Sequence, residues 1–93
     1  MTHTWNVSIE LFTSGDAGSA EHVTAARAVL TTTAGRELEG YGRAKLNPED
    51  KDVPEIGEEL AAARALRELA DRLLRATSDD ISAVEHQKIR LAR

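Results

Sequence analysis

The stretch from Arg43 to Leu66, RAKLNPEDKDVPEIGEELAAARAL, constrains the fold more than any other part of the chain, because a strand end, a proline-punctuated acidic turn and a helix start follow one another in it. Upstream, Leu38, Gly40, Gly42, Ala44 and Leu46 share one side of a strand whose other side carries Glu37, Glu39, Tyr41, Arg43 and Lys45. Asn47 and Pro48 end that strand. Pro54 then suits the first turn of a helix, where its missing N–H is no loss. Downstream, Leu60, Ala63, Leu66, Leu69, Ala70 and Leu73 recur at three- and four-residue spacing, which predicts a helix over about 54–76, on the order of 34 Å long at 1.5 Å per residue. Its acidic start (Glu55, Glu58, Glu59) and basic body (Arg64, Arg67, Arg72, Arg75) complement the helix dipole.

Earlier in the chain, Trp5, Val7, Ile9 and Leu11 alternate with Asn6, Ser8 and Glu10, the pattern of a strand over about 4–12 with one apolar face. The segment TSGDAGSAEH, Thr13 to His22, has turn-forming residues and no periodic apolar face, so it reads as a loop. Over 23–33 two faces compete: Ala26, Ala28 and Leu30 on one, Ala25, Arg27 and Val29 on the other. Arg27 turns the second outward. Thr33, Ala34 and Gly35 supply a short turn, Gly being free to take positive φ, and 36–46 returns as a hairpin partner. Its two inward glycines leave a shallow groove for a helix. Beyond the long helix, Thr77, Ser78 and Asp79 break the pattern. Ser78 suits the cap of a second, short helix over about 79–85, anchored by Ile81 and Val84, with 86–93 as a tail. The expected fold is thus a single α+β domain, β-β-β-α-α, in which a three-stranded antiparallel sheet carries one long helix across one face.

A chain of 93 residues buries only about 60–65% of its unfolded surface, which leaves a thin stability margin that self-association would widen. Cysteine is absent, excluding disulfides, thiolate zinc sites and a cysteine nucleophile, and making the cytoplasm the expected compartment. Neither a leader pattern nor a run of roughly 20 apolar residues is present, so no membrane segment is expected. The net charge of −4 works against general nucleic-acid binding, because a repulsive overall field slows encounter with phosphates.

Charge is nevertheless uneven. Residues 1–22 hold no Lys or Arg, whereas the outward side of the predicted sheet gathers Arg27, Tyr41, Arg43 and Lys45, which combine cations with a stacking ring and form the candidate macromolecule-contact face. The same four residues suit an ordinary solvent face or a dimer contact, and Glu37 and Glu39 dilute the basic field. For catalysis there is no constellation: His3, His22 and His86 are dispersed, with no carboxylate, serine or second histidine at a diagnostic spacing. Glu49, Asp50 and Asp52 lack the alternating ligands and central glycine of a calcium loop, and Gly40, Tyr41 and Gly42 fall within a strand rather than a nucleotide loop. No catalytic residue, cofactor or metal is expected.

The run LNPEDKDVPEIGEELAAARALRELADRLL, followed by SDDISAVEHQ, resembles a group of small proteins from high-GC Gram-positive bacteria known as a domain of unknown function, with dormancy- and hypoxia-associated members. The resemblance also covers Trp5 to Ile9 and Gly40 to Leu46, and LNP, VPEIG and the His86–Gln87 pair occur in order at matching intervals. It implies a fold similar to double-stranded-RNA-binding domains and ribosome hibernation factors, a homodimer, a role in stress or dormancy, and contact with the ribosome or RNA. It carries no catalytic residues. The alternative partner is another protein, met by a homodimeric or structural module without nucleic-acid contact. Against the usual docking of double-stranded-RNA-binding domains, the helix start is acidic where that mode needs lysines.

Overall fold

The computed structural model describes residues 1–14, 22–46 and 54–91. Three strands, β1 (Asn6–Ser14), β2 (His22–Thr31) and β3 (Glu37–Leu46), are followed by one helix, α1 (Pro54–Leu91). Both strand pairs are antiparallel in the order β1-β2-β3. The turn between β2 and β3 has Gly35 at φ 85°, a conformation open to glycine at little cost. There the Gly35 N–H donates to the Thr32 carbonyl at 3.0 Å, and the Arg36 N–H donates to the Thr32 hydroxyl at 3.1 Å.

Register explains the faces. Leu30 stands between Val7 and Leu38, Ala28 between Ile9 and Gly40, and Ala26 between Leu11 and Gly42. All nine therefore lie on one side of the sheet. The reverse side aligns Glu10, Arg27 and Tyr41, then Phe12, Ala25 and Arg43. Val29, also on that side and in the central strand, is buried although no helix covers it.

α1 lies across the first face, antiparallel to β3. A Cβ added at Gly42 would collide with the Ala61 carbonyl and Ala65 nitrogen, and one added at Gly40 with the Ala65 carbonyl and Leu69 nitrogen. Helix backbone thus rests directly on the sheet. The core is correspondingly small in its side chains: Ala26, Ala28, Leu30, Ala44, Ala61, Ala65 and Leu69, with Leu38 and Leu73 partly buried beside them. Apolar burial stabilises by about 25 cal/mol per Å2, so an alanine core contributes little per residue.

Two expectations are corrected. First, there is no separate short helix over 79–85: α1 continues through Thr77, Ser78 and Asp79 to Leu91. The chain has neither glycine nor proline after Gly57, and the Thr77 hydroxyl donates back to the Leu73 carbonyl at 2.9 Å, which satisfies it inside the helix. Asp80 is also held, by Arg36 at 2.9 Å. Second, the sheet-facing row is Gly57, Ala61, Ala65, Leu69 and Ala76, while Leu60, Ala63, Leu66 and Ala70 are exposed. Close approach over Gly40 and Gly42 selects small residues on the helix, so Ala61 and Ala65 stand over the sheet in place of Leu60 and Leu66, while Leu69 and Leu73 of the expected stripe do face it. The expected acidic turn at 49–52 and most of the loop at 13–22 lie outside the described residues.

Candidate nucleic-acid interface

β3 is an edge strand whose outer side is occupied by helix side chains. Its pairing with β2 leaves alternate backbone groups pointing away from the sheet, and α1 supplies partners for two of them. The Tyr41 N–H donates to Glu68 Oε1 at 3.1 Å, and Arg64 Nη1 donates to the Arg43 carbonyl at 2.6 Å. Both bonds tie the helix flank to the strand.

On the reverse face, Arg27 and Tyr41 are cross-strand neighbours, and Glu39 joins them. Its carboxylate lies 3.4 Å from Arg27 Nη2 and accepts the Tyr41 hydroxyl at 2.5 Å. The Arg72 guanidinium reaches over the strand edge to 6.0 Å from the centre of the Tyr41 ring, at the outer limit of a cation–π contact, while also pairing with Glu68 at 3.1 Å. The Tyr41 phenol is held above its ordinary pKa of 10.0, chiefly because it donates to Glu39 and a bond made by the protonated form favours that form.

Of the four residues expected to form a contact face, the structure brings Arg27 and Tyr41 into one network with Glu39, which offsets the Arg27 charge. Arg43 and Lys45 are exposed further along β3. The helix adds what sequence reading assigned only to the dipole: Arg64, Arg67, Arg72 and Arg75 line one shallow hollow of about 340 Å3 with Glu68 and Asp71. The spacing of these arginines carried that signal, since residues three, four, seven or eight apart share a helix side. Arg64 and Arg72 set this basic strip against the edge of β3, at the Arg43 carbonyl and the Tyr41 ring.

Among the described residues, no three His, Cys, Asp or Glu are placed to hold a metal ion, and no helix is long and apolar enough to cross a membrane. His3 and His86 are exposed.

A three-stranded antiparallel sheet carrying one long helix, with a basic strip along one edge, defines a small α+β domain of β-β-β-α order. The chain belongs to the Rv2632c-like family, which it matches over residues 3–90. The uncharacterized proteins Mb1767 of Mycobacterium bovis and MT1780 of Mycobacterium tuberculosis are each 55% identical over 56 residues, spanning 60% of this chain and 60% of the relative. The crystal structure of Rv2632c has a TM-score of 0.65 at 41% identity, covering 87% of this chain and 90% of that one.

Proposed function

We propose that the domain acts without catalysis, by macromolecular contact in stress or dormancy, with the ribosome in the cytoplasm as its target. The observation that carries this reading is the basic strip of α1, in which Arg64, Arg67, Arg72 and Arg75 line one hollow and Arg64 and Arg72 reach β3 at the Arg43 carbonyl and the Tyr41 ring. Cations spread along an edge track a phosphate backbone without reading bases, as ribosomal RNA helices require. Glu68 and Asp71 lie within the strip, and the chain is acidic overall, so such contact is strongly salt-dependent. The helix start, with Glu58 and Glu59, repels phosphate, which directs RNA to the helix flank instead of its N-terminus.

Sedimentation of the purified protein with ribosomes across a salt series tests this. Co-migration at low salt that declines with added salt is expected, and replacing Arg64, Arg67 and Arg75 with glutamine should lower the salt slope by about one per lost phosphate contact. Absence of co-migration at the lowest salt removes the ribosome as target. The second reading, a homodimeric module binding protein or serving a structural role, is favoured by a different observation, the apolar row of β1. Trp5, Val7, Ile9 and Leu11 are 52%, 47%, 39% and 42% exposed.

A further inference from the structure

α1 covers half of its sheet and then overruns it. The helix rests on β3 and β2 and scarcely touches β1, so Val7, Ile9 and Leu11, on the helix side of the sheet by register, are left uncovered by the described residues. Strands are spaced about 4.8 Å apart, and helices pack about 8–10 Å apart. The strip left bare beside α1 is therefore one helix wide. What covers it best is another helix, lying alongside the first.

Among the described residues, one helical segment does not pack on its own sheet. Gly42 meets Ala61, Gly40 meets Leu69, and Arg36 at the β2–β3 turn meets Asp80. By Asp80 the helix has reached the end of the sheet, and Ile81 to Leu91 continue past it for about 16 Å at 1.5 Å per residue. On this arm Ile81 and Val84 are each 53% exposed, and with Thr77, Asp80 and Glu85 they line a hollow of about 380 Å3. A helix end this short has little intrinsic stability without an apolar face buried elsewhere.

The arm and the bare strip belong to the same layer, on the same side of the sheet. A two-fold axis perpendicular to the sheet, beside the β2–β3 turn, sends each arm across the other copy's β1. Its reach of about 16 Å equals roughly five strand residues, the distance from Trp5 to Ile9. Trp5 already flanks α1 at this end, lining a cavity of about 420 Å3 with Leu38, Leu73 and Ala76. The exposed apolar side chains of strip and arm make up much of the ~800 Å2 per partner that a standard interface buries.

We infer that the occupant of the β1 strip is the arm of a second copy of this chain, exchanged reciprocally, so that Ile81 and Val84 of each copy cover Trp5 and Val7 of the other. This rests on the homodimeric reading and adds the surface. The arm's role also accounts for a helix 38 residues long above strands of 9 and 10 residues.

The test uses the full chain, which lacks cysteine, in two measurements. Analytical ultracentrifugation should give a dimer mass, and Val7→Glu should raise the dimer dissociation constant at least about tenfold by placing a charge in the apolar contact, with the circular-dichroism signal of the strands retained. Oxidation of the double variant Val7→Cys with Val84→Cys should yield a covalent dimer, whereas Ser8→Cys with Val84→Cys, on the reverse face, should not. A monomer at every concentration overturns both the homodimer and the arm exchange. A dimer that resists Val7→Glu and gives no disulfide-linked product from the Val7→Cys, Val84→Cys variant overturns the arm exchange and leaves a homodimer joined elsewhere.

Discussion

The two edge strands of this sheet are treated in opposite ways. β3 has a helix lying on its glycines, Arg64 and Glu68 bonded to its outward backbone groups, and Glu39 and Tyr41 joined on its reverse side. β1 has an equally regular apolar alternation and, among the described residues, no cover for it. Alternation alone therefore does not decide burial. One helix spans about two strands of a sheet, and the glycines in β3 draw α1 to that side because backbone can approach backbone only where no Cβ intervenes. The larger side chains of β1 are left for a partner.

The sharpest way to break the contrast is to deny α1 its seat. Gly40→Val places side-chain atoms where the Ala65 carbonyl and the Leu69 backbone already stand. Backbone cannot rotate aside as a side chain can, so the helix must lift. A loss of about 3 kcal/mol or more is expected, enough to unfold much of a domain this small, and thermal melting followed by circular dichroism reads it directly. Melting at an unchanged temperature would mean that α1 does not rest on β3.

A smaller effect separates the two leucines that neighbour each other in phase. Leu69 is 5% exposed and Leu66 is 40% exposed. Leu69→Ala should cost about 2–4 kcal/mol through lost burial and the cavity left behind, while Leu66→Ala should stay within about 1 kcal/mol. Equal losses measured by urea unfolding would mean a helix rotated until the sheet-facing direction falls midway between these two side chains, which stand about 60° apart at 3.6 residues per turn.

That rotation marks where sequence reading stopped. The three strands, the Gly35 turn, the helix start at Pro54 and the inward set Gly40, Gly42 and Ala44 follow from period, turn chemistry and proline geometry. The helix phase did not, because the leucines carry more hydrophobic weight than Ala61 and Ala65, and only the height of the glycine floor tells which kind of residue fits. The unbroken helix through Ser78 was missed for a related reason. Ser and Asp favour caps but do not enforce them, and Thr77 can bond back to Leu73 within the helix. The shared outward face of Arg27, Tyr41, Arg43 and Lys45 was legible from alternation along their strands. Arg64 and Arg72 were not, since their place beside β3 depends on how the helix crosses the sheet.

The most delicate probe of the β3 side is the phenol of Tyr41, the chain's single tyrosine, so its ultraviolet titration is unambiguous. Its pKa is raised above 10.0, first by the hydrogen bond to Glu39, with some loss of solvent and the Glu39 charge acting in the same direction and the Arg27 and Arg72 charges opposing. A raised folded pKa means that the folded protein holds this proton more tightly than the unfolded chain does. The associated stabilisation is therefore complete below pH 10, declines as pH rises through the folded value, and is gone above it. Glu39→Gln should bring the midpoint down toward 10, because the carboxylate acceptor and its charge are both removed, whereas Arg27→Gln should raise it further by removing an opposing cation. A wild-type midpoint at or below 10, or the same direction of shift in both variants, would show that Glu39 does not hold the Tyr41 hydroxyl, and the reverse side of β3 would then be as unclaimed as the helix-facing side of β1.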